Sequence, residues 1–157
     1  MSALVDDGQI AALLNERKPA ATVESLTPSA ADGAHLRLGR LYIGDRGTRF
    51  QVKVRRSRLD AKDFSVILAW DRPDETGLFL LTRCNGLSHQ HRNKLEGDRF
   101  FDFHVHRATQ RYQLGGFKED AYAKVTTSYD GFGGAVEHFL AICAFRRPTH
   151  EQMRLDG

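Results

Sequence analysis

The sequence predicts an α+β domain: an N-terminal helix, an antiparallel sheet of about five or six strands, and a C-terminal helix packed on one sheet face. Three observations carry this. Helical periodicity is confined to the two ends of the chain. Between them the apolar residues alternate with period 2 and are punctuated by Gly, Asp and Asn turns. Finally, 157 residues with 41% hydrophobic and 27% charged composition suit one folded domain.

The elements follow in order. Residues 5–17 carry Ile10, Leu13 and Leu14 on one helical stripe, with Asp6 and Asp7 where the helix dipole favours anions. This helix is assigned to residues 1–18. Residues 19–34, rich in Pro, Ala, Ser, Thr and Gly, read as a linker with a short strand at Thr22 to Leu26. The α+β core is expected over 35–145. Leu36, Leu38 and Leu41 open its first strand, which ends near Ile43. Gly44 to Gly47 turns the chain, and Phe50, Val52 and Val54 then alternate with Gln51, Lys53 and Arg55. Further strands are expected at Asp63 to Trp70, at Leu78 to Arg83 and, as one long strand, at Phe100 to Gln113. Residues 87–99 read as a polar loop and Ala121 to Thr127 as a last strand. The final helix presents Val136, Phe139, Leu140 and Cys143 on one face. Residues 146–157 read as a frayed tail.

No run approaches the roughly 20 apolar residues of a membrane span, and the N-terminus lacks the pattern of a secretory signal. Cys84 and Cys143 lie in apolar stretches and read as buried free thiols. The expected location is therefore cytoplasmic, away from membranes. The net charge of +3 is unevenly spread: residues 1–33 hold two basic and five acidic residues, whereas residues 34–112 hold 16 basic and nine acidic ones. Of the 23 basic residues 17 are arginine, whose planar fork suits phosphate.

The densest chemical signal is His89, His91, His104 and His106. Alternation puts Phe101, Phe103 and Val105 on the core face and Asp102, His104 and His106 on the other. Arg107, Thr109 and Arg111 cannot all continue the core parity, so the strand must twist, bulge or leave the core after Val105. Two chemistries fit. In the first, the histidines act as acid and base in metal-independent RNA cleavage, since imidazole titrates near neutrality. Arg92, Arg107 and Arg111 then hold the phosphate, Thr109 and Tyr112 donate hydrogen bonds, and Lys53 and Arg55 extend the substrate track. No cofactor is needed. In the second, His89, His91, His104 and His106 ligate zinc or another transition metal. An exposed polar face that holds nucleic acid or an acidic protein without catalysis is the third alternative.

The block Leu80 to Gly86, His89-Gln-His-Arg-Asn93, Phe103 to Tyr112, Ala121-Tyr-Ala123 and His138 to Cys143 resembles a poorly characterised group of small bacterial proteins. These share a His-Arg-Asn loop, a His-x-His strand and a C-terminal helix ending near a cysteine, and are found in mobile elements and beside toxin–antitoxin genes. The resemblance covers residues 48–145. More remotely, the chain is similar to toxin ribonucleases of the barnase–colicin–RelE type, which are compact α+β domains with metal-independent active sites. That similarity implies an endoribonuclease, possible toxin of a toxin–antitoxin pair, with RNA as substrate and an acidic antitoxin as protein partner. It places His104, His106, Thr109 and Tyr112 on the working face.

Overall fold

The computed structural model describes residues 3–74 and 76–148. Helix α1 (Asp7–Asn15) starts at Asp6, whose carboxylate accepts the Gln9 N–H, and buries the expected Ile10, Leu13 and Leu14. There follow β1 (Lys18–Ala20), a short 3-10 helix (Glu24–Leu26), β2 (Ala30–Asp32), β3 (His35–Ile43), β4 (Arg49–Ser57), β5 (Phe64–Asp71) and β6 (Leu78–Asn85). The chain continues with β7 (His91–Arg92), β8 (Arg99–Phe100), β9 (His104–Arg107), α2 (Gln110–Leu114), β10 (Ala123–Val125), α3 (Phe132–Ile142) and β11 (Phe145–Arg146).

Seven strands form one antiparallel sheet in the order β10-β9-β6-β5-β4-β3-β2. Two small two-stranded sheets flank it: β7 with β8, and β1 with β11 in parallel. The architecture is thus α+β, with terminal helices and an antiparallel sheet as expected. Val52, Val54, Val66, Leu68 and Cys84 join Leu13, Leu14, Val136, Phe139 and Leu140 in one core cluster. Both terminal helices therefore cover the same face of the sheet, and Arg37, Lys53, Ile67 and Arg83 share the opposite parity. Cys84 and Cys143 are buried and unpaired. No helix among the described residues is long and apolar enough to cross a membrane.

Four local expectations are corrected. The segment at Thr22 to Leu26 forms the 3-10 helix instead of a strand, because Thr22 and Ser25 satisfy each other's backbone N–H groups with their hydroxyls. Much of the expected linker packs: Leu26 is fully buried and Ala30–Asp32 pairs with β3. Finally, Phe100 to Gln113 is not one strand. It divides into β8, β9 and α2. The chain leaves the extended state at Thr109, whose hydroxyl accepts the Tyr112 N–H and caps α2. Phe101, expected in the core, is exposed, because the chain bends at residues 101–103 between β8 and β9. The tail beyond residue 148 lies outside the described residues.

One irregularity positions the site. The β5–β6 register shifts by one residue at Leu68/Ala69, so that Leu68 faces Thr82 but Ala69 faces Leu80, leaving Leu81 as the extra residue of a bulge. An extra residue inverts the parity of everything after it. Cys84 therefore enters the core, and Arg83 and Asn85 reach the face opposite the helices.

Candidate metal centre

His104 and His106 stand two residues apart on β9 and point to the same sheet face as their register partners on β6, Asn85 and Arg83. That face is covered at this end. His104 is 2% exposed and His106 5%. The cover is the β7–β8 hairpin, in which His91 pairs with Phe100. His91 stacks on His104 with ring centroids 5.3 Å apart and meets His106 edge-on at 4.8 Å; Phe100 packs against His91 and His104.

One ring nitrogen from each of His91, His104 and His106 lies within 4.8 Å of the other two. Tetrahedral zinc sites place such nitrogens roughly 3.4 Å apart, so a small inward movement would close the set on an ion. The other nitrogen of every ring is engaged by an oxygen. His104 Nδ1 lies 2.8 Å from the Asp102 carbonyl and His106 Nδ1 2.7 Å from the Asp120 carbonyl. His91 Nε2 lies 2.9 Å from Asn93 Oδ1. That Asn93 oxygen also accepts the Ala123 N–H, and so the proton of the His91 contact sits on the ring. The tautomers follow: each ring donates to its oxygen and keeps its lone pair on His91 Nδ1 and on Nε2 of His104 and His106, where the Asn85 amide N–H also reaches His104 Nε2 at 3.4 Å. Oxygen acceptors behind imidazoles are how metal sites orient histidine ligands.

Electrostatics favour neutral rings at His104 and His106. Burial pushes His106 down to about 2, with further lowering from Arg83 and His104. Burial also lowers His104, against the raising effect of its hydrogen bond to Asp102. Arg83, the register partner of His106, is paired with the fully buried Asp120 at 2.9 Å. Arg83 Nε and Asp120 Oδ1 are buried and lack a hydrogen-bond partner.

The other expected site residues are placed as follows. His89 is exposed, with Nδ1 3.0 Å from Ser88 Oγ, and stays outside the three-histidine group. Thr109 serves as the helix cap. Tyr112 is fully buried, donates to Glu96 and accepts the Leu95 N–H, so it holds the hairpin down from below. Arg111 pairs with Glu96. Arg92 and Arg107 are exposed. Lys53 and Arg55 lie on β4, on the sheet face that carries the histidines.

Sequence reasoning missed Asn85, Asn93 and Asp120. Asn93 is 2% exposed. Its side chain takes the Ala123 N–H at 2.9 Å and donates to the Ala123 carbonyl at 2.7 Å, sewing the hairpin to β10. The signal available was the His91-x-Asn93 spacing inside the polar loop. Asn85 Nδ2 lies 3.4 Å from His104 Nε2, and the Tyr129 hydroxyl reaches the carbonyls of Asn85 and His104 at 2.8 and 3.0 Å.

No family model matches the chain, and no curated protein or solved structure matches it.

Proposed function

We propose that His91, His104 and His106 bind one transition-metal ion, zinc by preference, and that the ion activates water for a hydrolytic reaction. The carrying observation is the convergence of three lone pairs whose opposite ring nitrogens are all fixed by oxygen acceptors. Neutral imidazole suits zinc and neighbouring first-row ions. Among the described residues, no fourth His, Cys, Asp or Glu joins the group. Three protein ligands with a free position are the pattern of catalytic zinc, which lowers the pKa of its bound water to about 7.

The metal-independent reading needs one histidine protonated as general acid near neutral pH. Two of the three rings are driven the other way by burial, and neither Thr109 nor Tyr112 has its polar group in the cluster. These observations favour the metal over metal-free acid–base chemistry.

The test is metal content. Purified protein, stripped with a chelator and titrated with zinc against a chromophoric competitor, should take up one equivalent. His104→Ala and His106→Ala should each lose it. No uptake by the folded wild-type protein would sink the proposal.

A further inference from the structure

The two β9 histidines lie in two rows of side chains that cross the sheet on the face opposite α1 and α3. In one row, strand register aligns Arg37, Arg55, Ser65, Asn85 and His104; in the next it aligns Gly39, Lys53, Ile67, Arg83 and His106. Between β3 and β9 each row spans about 19 Å at the usual strand spacing. A cavity of about 500 Å³ opens along the rows, and its lining includes Arg37, Gly39, Lys53, Arg55, Ile67 and Arg83.

Three features of this cavity describe its occupant. Cations recur on three strands leading toward the histidines, which matches an anion repeated along a chain better than a single charge. Gly39 and Ile67 leave an uncharged gap between the cations, with open space above Gly39, where a base can lie between phosphate contacts. Arginine forks, moreover, match phosphate oxygens in pairs. The carboxylates present do not consume the donors. Asp32 meets Arg37 through Nε, Asp63 meets Arg55 through one terminal nitrogen, and Asp120 meets Arg83 likewise. Lys53 is exposed and makes no hydrogen bond or ion pair among the described residues. Arg83 joins the two regions: it lines the cavity, faces His106 across the ladder, and keeps a buried Nε without a partner.

We propose that a single-stranded nucleic acid lies across β3, β4, β5 and β6 with its phosphates on Arg37, Lys53, Arg55 and Arg83, and runs up to the β7–β8 hairpin that covers the two β9 histidines. That the strand is the substrate of the centre rests on the metal reading above; that it binds does not.

The experiment is fluorescence anisotropy of a labelled single-stranded RNA of about 12 nucleotides, first in EDTA and then with zinc. Wild-type protein should bind in EDTA. With about four phosphates engaged, log K should fall against log salt with a slope of about −3. The Lys53→Gln, Arg55→Gln double variant should weaken binding at least tenfold and flatten that slope, while its zinc uptake and melting temperature stay near wild type. His104→Ala should lose zinc and keep RNA affinity in EDTA within about twofold. Arg37→Gln, at the far end of the row, serves as a second variant should the double one fold poorly. RNA affinity indifferent to these cations would overturn the proposal. So would displacement of the strand by a mononucleotide at equal concentration, or equal binding of a duplex. RNA binding as expected in a protein that takes up no zinc would refute the metal reading alone.

Discussion

The side chain of Asn93 pairs with the backbone of Ala123 as a neighbouring strand would, giving one hydrogen bond and taking one. The same amide oxygen receives the proton of His91. A hairpin far smaller than the sheet is thus held in register with β10 by one buried amide, and the third imidazole is aimed by that amide.

Asn93→Ala should therefore weaken both zinc binding and folding. Removing an acceptor that orients a metal-bound histidine costs about 10- to 100-fold in affinity. The unpaired Ala123 groups should cost about 1–3 kcal/mol of stability. Competitive zinc titration and urea melts measure the two effects separately. An unchanged zinc affinity would show that His91 is held some other way.

Acid should destabilise the metal-free protein. His106 is depressed in the folded state to about 2 and titrates near 6.5 when unfolded. Between those values the unfolded chain binds the extra proton, so stability is complete above about 6.5 and falls as pH falls. From pH 7.5 to 5.0 the loss from this residue should be about 2 kcal/mol, and His104, also depressed, adds to it. Urea midpoints across that range test this, and His106→Gln should flatten the profile.

Lys18 is buried completely, and its ammonium donates to the carbonyls of Leu13, Leu14, Glu16 and Cys143 at 2.6 to 3.2 Å. Nζ also lies 4.4 Å above the Phe50 ring. Burial pulls it down to about 8, which leaves it charged at neutral pH. The carbonyls close the C-terminal ends of α1 and α3, where a cation is favoured. Lys18→Met would fill the volume and orphan those oxygens. A loss of about 3 kcal/mol is expected, read from the urea midpoint.

Gly86 has no room for a side chain. A Cβ there would come 2.0 Å from the Lys62 carbonyl oxygen and 2.9 Å from the Phe64 ring. Backbone lies in the way, so Gly86→Ala must displace the β5–β6 end beside Asn85. It should cost about 1–3 kcal/mol, whereas Gly39→Ala, with open space at its Cβ, should cost little. Thermal melts of the pair compare them directly.

Periodicity was enough to find α1, α3 and the long strands, because their apolar faces are set by local alternation that burial then enforces. It also put Phe103, Val105 and the two histidines of β9 on opposite faces. It could not find the bulge at Leu81, since nothing in Leu78-Phe-Leu-Leu-Thr-Arg-Cys marks which leucine is the extra one. Arg83 and Asn85 were hidden for that reason. The four-histidine cluster was legible as a group, but selecting His91 over His89 depends on Asn93, whose partner Ala123 is 30 residues away. Thr109 and Tyr112 were legible as polar residues after a histidine strand. Their use as a helix cap and a hairpin anchor required knowing that the strand stops at Arg107.

The Lys18 ammonium also sets an order of events. Its acceptor on Cys143 lies 125 residues further along the chain, and β1 has no parallel partner until Phe145 and Arg146 exist. At about 5–20 residues per second, the Cys143 acceptor is made roughly 6–25 seconds after Lys18, which until then reaches only carbonyls at the end of its own helix. The clasp between the two helix ends is thus a late event in biosynthesis, and any truncation before residue 143 would strand a positive charge among oxygens and apolar rings with no second helix to receive it.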